Sequence, residues 1–103
     1  WGLDRLDGRS GLDTSFGVDA TGEGVHIFHM DTGVAAGLED FEGRAYPAAD
    51  FTQETFQECR SDDFECAADR NGHGTHTAGT IASKTYGVAK KALVHALKVL
   101  GDD

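Results

Sequence analysis

The side chains best able to do chemistry in this chain lie in one stretch, D-R-N-G-H-G-T-H-T-A-G-T, from Asp69 to Thr80. It holds two imidazoles, His73 and His76, and His73 stands between two glycines. An imidazole can accept and return a proton near neutral pH, and the partial positive charge at a helix N-terminus favours its neutral form. His73 is therefore a candidate general base, and the alternative is a capped helix with two purely structural histidines.

An aspartate upstream supplies the partner that such a base needs. The run V-H-I-F-H-M-D-T-G, from Val25 to Gly33, is rich in apolar residues and ends in Asp31 followed by a turn. Open α/β sheets build their sites at the carboxyl ends of parallel strands, where Asp31 would then lie. A carboxylate in that place can hold the imidazole of His73 in one tautomer and stabilise its cation.

The elements that must position these two residues follow from the pattern. Val25 to Met30 is predicted to be a parallel strand buried on both faces, because its apolar run is interrupted only by histidines. The small residues after His73 predict a tightly packed helix over His73 to Ser83. The other predicted elements are strands over Arg44–Phe51 and Leu93–Leu100, with Pro47 at an edge or bulge, a loop over Thr52–Arg70 and a turn over Tyr86–Ala89.

Taken together, these motifs resemble the N-terminal part of a subtilase of the proteinase K-like branch. The matching segments are W-G-L-D-R-L-D (1–7), G-E-G-V (22–25), M-D-T-G-V (30–34), D-F-E-G-R-A (40–45), N-G-H-G-T-H-T-A-G-T-I-A-S (71–83), Y-G-V-A-K-K-A (86–92) and K-V-L (98–100). They run through nearly all 103 positions. The resemblance implies an α/β fold, the N-terminal part of a three-layer subtilisin-like structure with a mostly parallel, here incomplete, sheet.

The same resemblance implies a serine endopeptidase, with Asp31 and His73 matching the family's triad aspartate and histidine. Aspartate, then histidine, then serine is the chain order of the subtilisin triad. The family's nucleophile lies in a Gly-Thr-Ser-Met-Ala type of box and an asparagine helps to form the oxyanion hole; this chain holds neither. Its four serines, Ser10, Ser15, Ser61 and Ser83, lie in other contexts. Residues 1–103 are therefore predicted to be a partial catalytic domain that is inactive alone.

Family resemblance also implies partners and a location. The expected partners are protein or peptide substrates and an N-terminal propeptide inhibitor outside this chain, and the expected location is extracellular. No cofactor is expected for catalysis. The net charge of −9 argues against nucleic acid or an anionic membrane as a partner. The alternative function is a non-catalytic binding or regulatory module, or a metal-binding domain, that retains the Asp and His boxes.

The two cysteines, Cys59 and Cys66, lie in the polar segment before the His box. Paired, they would close a small loop and stabilise the fold by roughly 2 to 3 kcal/mol. The extracellular family favours a disulfide, and two free thiols are the alternative. A zinc site formed by both cysteines with His73 and His76 is disfavoured, because the spacing does not match the usual paired zinc ligands.

Three carboxylates, Asp4, Asp7 and Asp13, lie close together near the start of the chain. Ca²⁺ prefers several hard oxygen ligands, and some proteinase K-like enzymes carry a calcium site in this region whose acidic ligands these positions resemble. Gly8 stands where a further side-chain ligand would be useful. The interpretations are thus a structural Ca²⁺ site or a solvated acidic face.

Predictions also follow for three further histidines, His29, His76 and His95. His29 and His95 stand where the family usually has apolar residues, and alternation along a strand places His29 on the same side as Asp31. His29 is predicted to be a hydrogen-bonded core histidine or a neighbour that shifts the pKa of Asp31. His76 lies one turn after His73 and is predicted to pack within the core.

Overall fold

The computed structural model describes all 103 residues, Trp1–Asp103, and confirms the α/β class. Its strands are β1 (His26–Asp31), β2 (Ala45–Asp50), β3 (Gln57–Glu58) and β4 (Leu93–Lys98), and its helices are α1 (Asp4–Asp7), α2 (His73–Ala82) and a 3₁₀ turn over Glu39–Phe41. The sheet order is β1-β4-β2-β3. The β1–β4 and β2–β4 pairs are parallel and the β2–β3 pair is antiparallel, so the sheet is mostly parallel, as predicted.

One face of the sheet packs against α2, and the other carries no helix. The prediction that β1 is buried on both faces is therefore wrong. His29 and Asp31 point toward α2 and are buried, whereas Phe28 and Met30 are 63% and 68% exposed on the opposite face. On that bare face the ring of His95 stacks on Phe28 with centroids 5.0 Å apart.

The segment predicted as a loop between Thr52 and Arg70 contains the short strand β3. β3 pairs with the end of β2, where Ala49 lies opposite Glu58. A two-residue strand has no period that a sequence pattern could reveal. β3 pairs only with Ala49 and Asp50, so β2 is an inner strand at that end. Pro47 lies at a bulge, where the β2–β4 register shifts between Pro47 and Ala49.

The core is built mainly from small side chains. Its ten buried residues are Val34, Ala36, Phe41, Ala45, Ala67, Ala78, Ala82, Ala92, Val94 and Ala96. The buried stripe of α2 is Gly74, Ala78 and Ala82, at a spacing of four. A Cβ atom at Gly74 would overlap the carbonyl oxygen of Gly33, so this glycine allows the helix to approach the turn after β1. Neither α1 nor α2 has the length and apolar composition of a membrane-spanning helix.

Candidate active site

Asp31 and His73 meet at the carboxyl end of β1. Asp31 is the last residue of β1 and His73 is the first residue of α2. The His73 Nδ1 atom lies 2.8 Å from Asp31 Oδ1 and 3.0 Å from Asp31 Oδ2. The Asp31 side chain is 11% exposed and the His73 side chain is 65% exposed. A buried carboxylate thus orients an imidazole whose Nε2 atom is left without a hydrogen bond inside the chain.

The first turn of α2 is held by side chains from outside the helix. Three backbone amides of that turn have no partner within the helix itself. His73 N–H donates to Asn71 Oδ1 (3.2 Å), Gly74 N–H to Thr32 Oγ1 (2.9 Å) and Thr75 N–H to Asp69 Oδ2 (2.7 Å). Because Thr32 directly follows Asp31, this capping fixes the carboxylate and the imidazole relative to each other.

Asp31 itself is fully hydrogen-bonded. Its Oδ1 accepts from the backbone N–H of Thr32 at 2.7 Å, and its Oδ2 accepts from the hydroxyl of Thr77 at 3.2 Å. Burial acts to raise the pKa of Asp31, but the hydrogen bonds from His73, Thr32 and Thr77 outweigh it and lower that pKa. Asp31 is therefore an anion at neutral pH, as an orienting partner for an imidazole must be.

Asp69 organises the loop before α2, and the sequence reasoning gave it no role. Its carboxylate accepts from the hydroxyls of Thr32 and Thr75 and from the amides of Asn71, Gly72 and Thr75. Burial acts to raise the pKa of Asp69, but these hydrogen bonds lower it to about 2. The available signal was an aspartate just before an Asn-Gly turn and a helix start, a residue type typical of helix caps.

We expect Asp69→Asn to destabilise the fold at pH 7 by about 1 to 2 kcal/mol. The Asp69 pKa is about 2 in the fold against an ordinary 3.8. The stabilisation is therefore complete above the ordinary value and is lost as the pH falls through the folded value. Urea unfolding from pH 7 to pH 2 should show this acid loss in the parent and less of it in Asp69→Asn. Asp62→Asn is the control, because that exposed carboxylate pairs only with Arg60; equal midpoints for both variants would contradict the assignment.

A buried lysine, which no sequence pattern indicates, supports the turn after Asp31. Lys98, at the end of β4, is 5% exposed. Its Nζ atom donates to the Thr32 carbonyl oxygen at 2.5 Å and to Asp102 Oδ1 at 2.6 Å. Asp102 Oδ1 also accepts from the backbone N–H of Arg70. This ion pair thus joins the turn after β1 to the loop that leads into α2.

The prediction that His76 packs within the core is wrong. Its side chain is exposed and makes no hydrogen bond. It lies off the buried stripe of α2 and lines a shallow pocket of about 370 Å³ together with Leu38, Phe41 and Tyr86. His76 is therefore neither a core residue nor a partner of Asp31.

Cys59 and Cys66 form a disulfide, with Cα atoms 5.6 Å apart. No free cysteine remains in the chain. The zinc alternative is thereby contradicted, because both thiols are consumed and His73 is bonded to Asp31. The disulfide lies beside the β2–β3 pair, where Cys59 N–H donates to the carbonyl of Ala48.

Asp4, Asp7 and Asp13 line one pocket of about 270 Å³, with Gly8. Their oxygens already accept from the backbone amides of Asp13, Thr14, Ser15 and Gly17. The Arg5 guanidinium donates to the carbonyl oxygens of Gly8 and Arg9 in the same loop. No three acidic, histidine or cysteine side chains of the chain converge as metal ligands. Calcium at this pocket stays a prediction.

The chain is similar to the same kind of protein in sequence and in structure. The model of the Subtilase family (Peptidase_S8) matches residues 22–103. Subtilisin-like protease 1 of Trichophyton rubrum is 42% identical over 104 residues, which cover 100% of this chain and 19% of that protein. Proteinase R of Parengyodontium album is 42% identical over 103 residues, 99% of this chain and 24% of that protein.

A bacterial relative and a solved structure extend the match. The Extracellular serine proteinase of Thermus sp. (strain Rt41A) is 43% identical over 97% of this chain and 22% of its own length. The crystal structure of a cold adapted subtilisin-like serine proteinase superimposes with a TM-score of 0.86 at 38% identity, over 100% of this chain and 35% of that one. The chain spans 19% to 24% of the length of the curated relatives described here.

Proposed function

The chain belongs to the subtilase family, and we propose that it forms the part of a serine endopeptidase domain that carries the orienting aspartate, Asp31, and the general base, His73. The observation that carries this proposal is the contact of His73 Nδ1 with both oxygens of Asp31, at 2.8 and 3.0 Å. It leaves Nε2, the nitrogen that takes the proton in a serine-protease triad, free at the surface.

In the proposed mechanism a serine hydroxyl loses its proton to His73 Nε2 as its oxygen attacks the peptide carbonyl carbon. The resulting imidazolium is stabilised by the Asp31 carboxylate, and it then gives the proton to the leaving amine. The acyl-enzyme is hydrolysed by water through the same two proton transfers. The nucleophilic serine and the oxyanion donors come from outside residues 1–103 in this proposal, because the chain lacks the family's Gly-Thr-Ser-Met-Ala type of box and its oxyanion asparagine.

The substrate class, partners and location follow from this proposal. The substrates are proteins or peptides, and a propeptide outside these residues is the inhibitor. The proposal needs no cofactor for catalysis, because His73, Asp31 and a serine supply the base, its orienting partner and the nucleophile. An extracellular location is supported by the Cys59–Cys66 disulfide, since such bonds persist in oxidising compartments, and by the printed name of the Thermus relative. The net charge of −9 weighs against nucleic acid and anionic membranes.

A serine-directed fluorophosphonate tests the proposal. We expect the full-length protein to hydrolyse a casein or peptide substrate and to be labelled at one serine outside residues 1–103. The 103 residues alone should neither hydrolyse peptide nor take up label, because no acyl-enzyme can form without the nucleophile. Labelling of a serine within the chain would contradict this assignment. A full-length protein that binds peptide without turnover would instead indicate a non-catalytic module.

We also propose that Asp4, Asp7 and Asp13, which line one pocket, hold a structural Ca²⁺ ion in the full-length protein, because they resemble the acidic ligands of a calcium site in some proteinase K-like enzymes. The backbone amides that these carboxylates accept from would have to give way to the ion. A ligand that binds only the native state stabilises it by mass action, by about 2.7 kcal/mol at a hundred times its dissociation constant. Millimolar Ca²⁺ should therefore raise the melting temperature of the parent more than that of Asp7→Ala. The control is Asp19→Ala, an acidic residue that does not line this pocket. Equal calcium shifts in Asp7→Ala and the parent would dismiss the site.

A further inference from the structure

A second histidine lies behind the Asp31–His73 pair. His29 is 7% exposed, on the side of β1 that faces α2. Its Nε2 atom lies 2.9 Å from the hydroxyl oxygen of Thr77 and 4.0 Å from Asp31 Oδ2. Thr77 is one helical turn after His73, so its hydroxyl stands between the imidazole of His29 and the carboxylate.

The Thr77 hydroxyl has one proton and several acceptors within reach. They are Asp31 Oδ2 at 3.2 Å, the His73 carbonyl at 3.2 Å and the Gly74 carbonyl at 3.1 Å. His29 Nε2 is a fourth acceptor if it carries no proton, and a donor if it carries one. The tautomer of His29 therefore decides whether the Thr77 proton is available to Asp31.

The other nitrogen of His29 distinguishes the two tautomers. Its Nδ1 atom is buried and has no hydrogen-bond partner. With the proton on Nδ1, a buried N–H would have no acceptor, and His29 Nε2 would take the Thr77 proton away from Asp31. With the proton on Nε2, only a lone pair is left unpaired, and buried acceptors without partners are tolerated better than buried donors. The contacts favour the tautomer with the proton on Nε2.

Burial favours a neutral His29 and outweighs the two carboxylates near it. Burial lowers the pKa of His29, and His73 lowers it further, whereas the carboxylates of Asp31 and Asp69 act to raise it; the net direction is downward. A second proton would also create the unpaired buried N–H on Nδ1. His29 is therefore a neutral donor at pH 7.

We propose that His29 is a positioning residue for the Asp31–His73 pair. Its Nε2–H donates to Thr77, and the Thr77 hydroxyl is thereby left to donate to Asp31 Oδ2. The carboxylate is then held on Oδ1 by the Thr32 amide and on Oδ2 by Thr77. Both oxygens keep the orientation in which they face His73 Nδ1. The effect of this arrangement on turnover rests on the proposed function, whereas the hydrogen-bond arrangement does not.

The tautomer is tested first, by a measurement on the full-length protein that needs no activity. The imidazole ¹⁵N spectrum of the labelled full-length protein, assigned with His29→Gln, should show a protonated Nε2 and an unprotonated Nδ1 for His29 between pH 7 and pH 8. A protonated Nδ1 would overturn the proposal. This result stands or falls independently of whether the full-length protein is a protease.

Turnover of the full-length protein tests the positioning role. His29→Leu removes the donor, and Thr77→Val removes the hydroxyl that connects it to Asp31. Each should lower kcat by about 10-fold, equivalent to about 1.4 kcal/mol, with KM unchanged. His29→Gln, whose amide N–H can replace Nε2–H, should restore kcat to within about twofold of the parent. Glutamine and leucine variants of equal kcat, or a change confined to KM, would overturn the proposal.

A double variant separates positioning from a general loss of packing. If His29 and Thr77 act through one hydrogen-bonded chain, His29→Leu with Thr77→Val should lose no more kcat than the worse single variant, about 10-fold. Independent structural effects would multiply to about 100-fold and would overturn the proposal. Melting temperatures of the parent, the two single variants and the double variant identify any variant that fails to fold. If a variant with His29→Leu fails to fold, kcat of Thr77→Val is compared with kcat of the parent. A full-length parent without turnover would contradict the proposed function and leave the tautomer result intact.

Discussion

Replacing His73 with alanine in the full-length protein is expected to lower turnover by about a million-fold, the loss that removal of the triad histidine causes in subtilisin. The geometry gives the reason: His73 is the one imidazole bonded to Asp31, and its Nε2 atom is free to take a proton. Without it, a serine hydroxyl has no base and the leaving amine has no acid. The measurement is kcat under saturating substrate, with active-site titration to exclude traces of parent enzyme.

His76→Ala is the matched control for that experiment. It removes an imidazole from the same helix, three residues away, that is exposed and makes no hydrogen bond. We expect kcat within a few-fold of the parent, and an unfolding free energy changed by no more than about 0.5 kcal/mol, as for an ordinary surface substitution. The assignment of the base is wrong if His76→Ala abolishes turnover in a folded protein while His73→Ala stays active.

Asp31→Asn is expected to lower kcat by about ten-thousand-fold, the effect of the corresponding change in a chymotrypsin-like triad. An asparagine keeps an oxygen for the Thr32 amide, which lies 2.7 Å from Asp31 Oδ1. Its amide nitrogen would then face His73 Nδ1, and two donors cannot share one hydrogen bond. Nδ1 must give up its proton and become an acceptor, so Nε2 carries the proton and cannot act as a base.

Asp50→Asn controls for the loss of a buried carboxylate at a strand end. Asp50 ends β2 as Asp31 ends β1, it is buried, and it accepts from the amide and hydroxyl of Thr52 rather than from a histidine. Its replacement should reduce stability without a comparable loss of kcat in the folded fraction. Losses of similar size in the two variants would argue that Asp31 acts through folding alone.

The contact between Asp31 and His73 could be predicted from the sequence, because each residue lies in a local pattern. Asp31 ends an apolar run, and His73 lies in a glycine-flanked box followed by small residues. Both patterns are local, so each residue could be assigned to a strand end or to a helix start without knowledge of the rest. Their contact followed from the rule that sites lie at the carboxyl ends of parallel strands.

Features that depend on distant segments could not be predicted. The role of Asp69 requires Thr32, a residue 37 positions away, to come within hydrogen-bond distance of its carboxylate. The sequence around Lys98 does not predict a buried cation, because the groups that bind its Nζ atom lie in the turn after β1 and in the last residues of the chain. Helical spacing places His76 on the same side of α2 as His73, which predicts that it is buried. The spacing does not say which stripe of the helix faces the sheet, so the prediction fails.

The bare face of the sheet has a consequence for the colloidal behaviour of the chain. An apolar plane around Phe28 and Met30 faces solvent, and contact between two such planes would be favourable. At neutral pH the net charge of −9 opposes that contact. Added salt screens the repulsion, with a screening length of about 10 Å at 0.1 M and about 3 Å at 1 M, and acidification toward the isoelectric point of about 4.8 removes the net charge. We therefore expect molecules of the chain to stay apart in dilute, neutral, low-salt buffer and to associate through this face under salting-out or mildly acidic conditions.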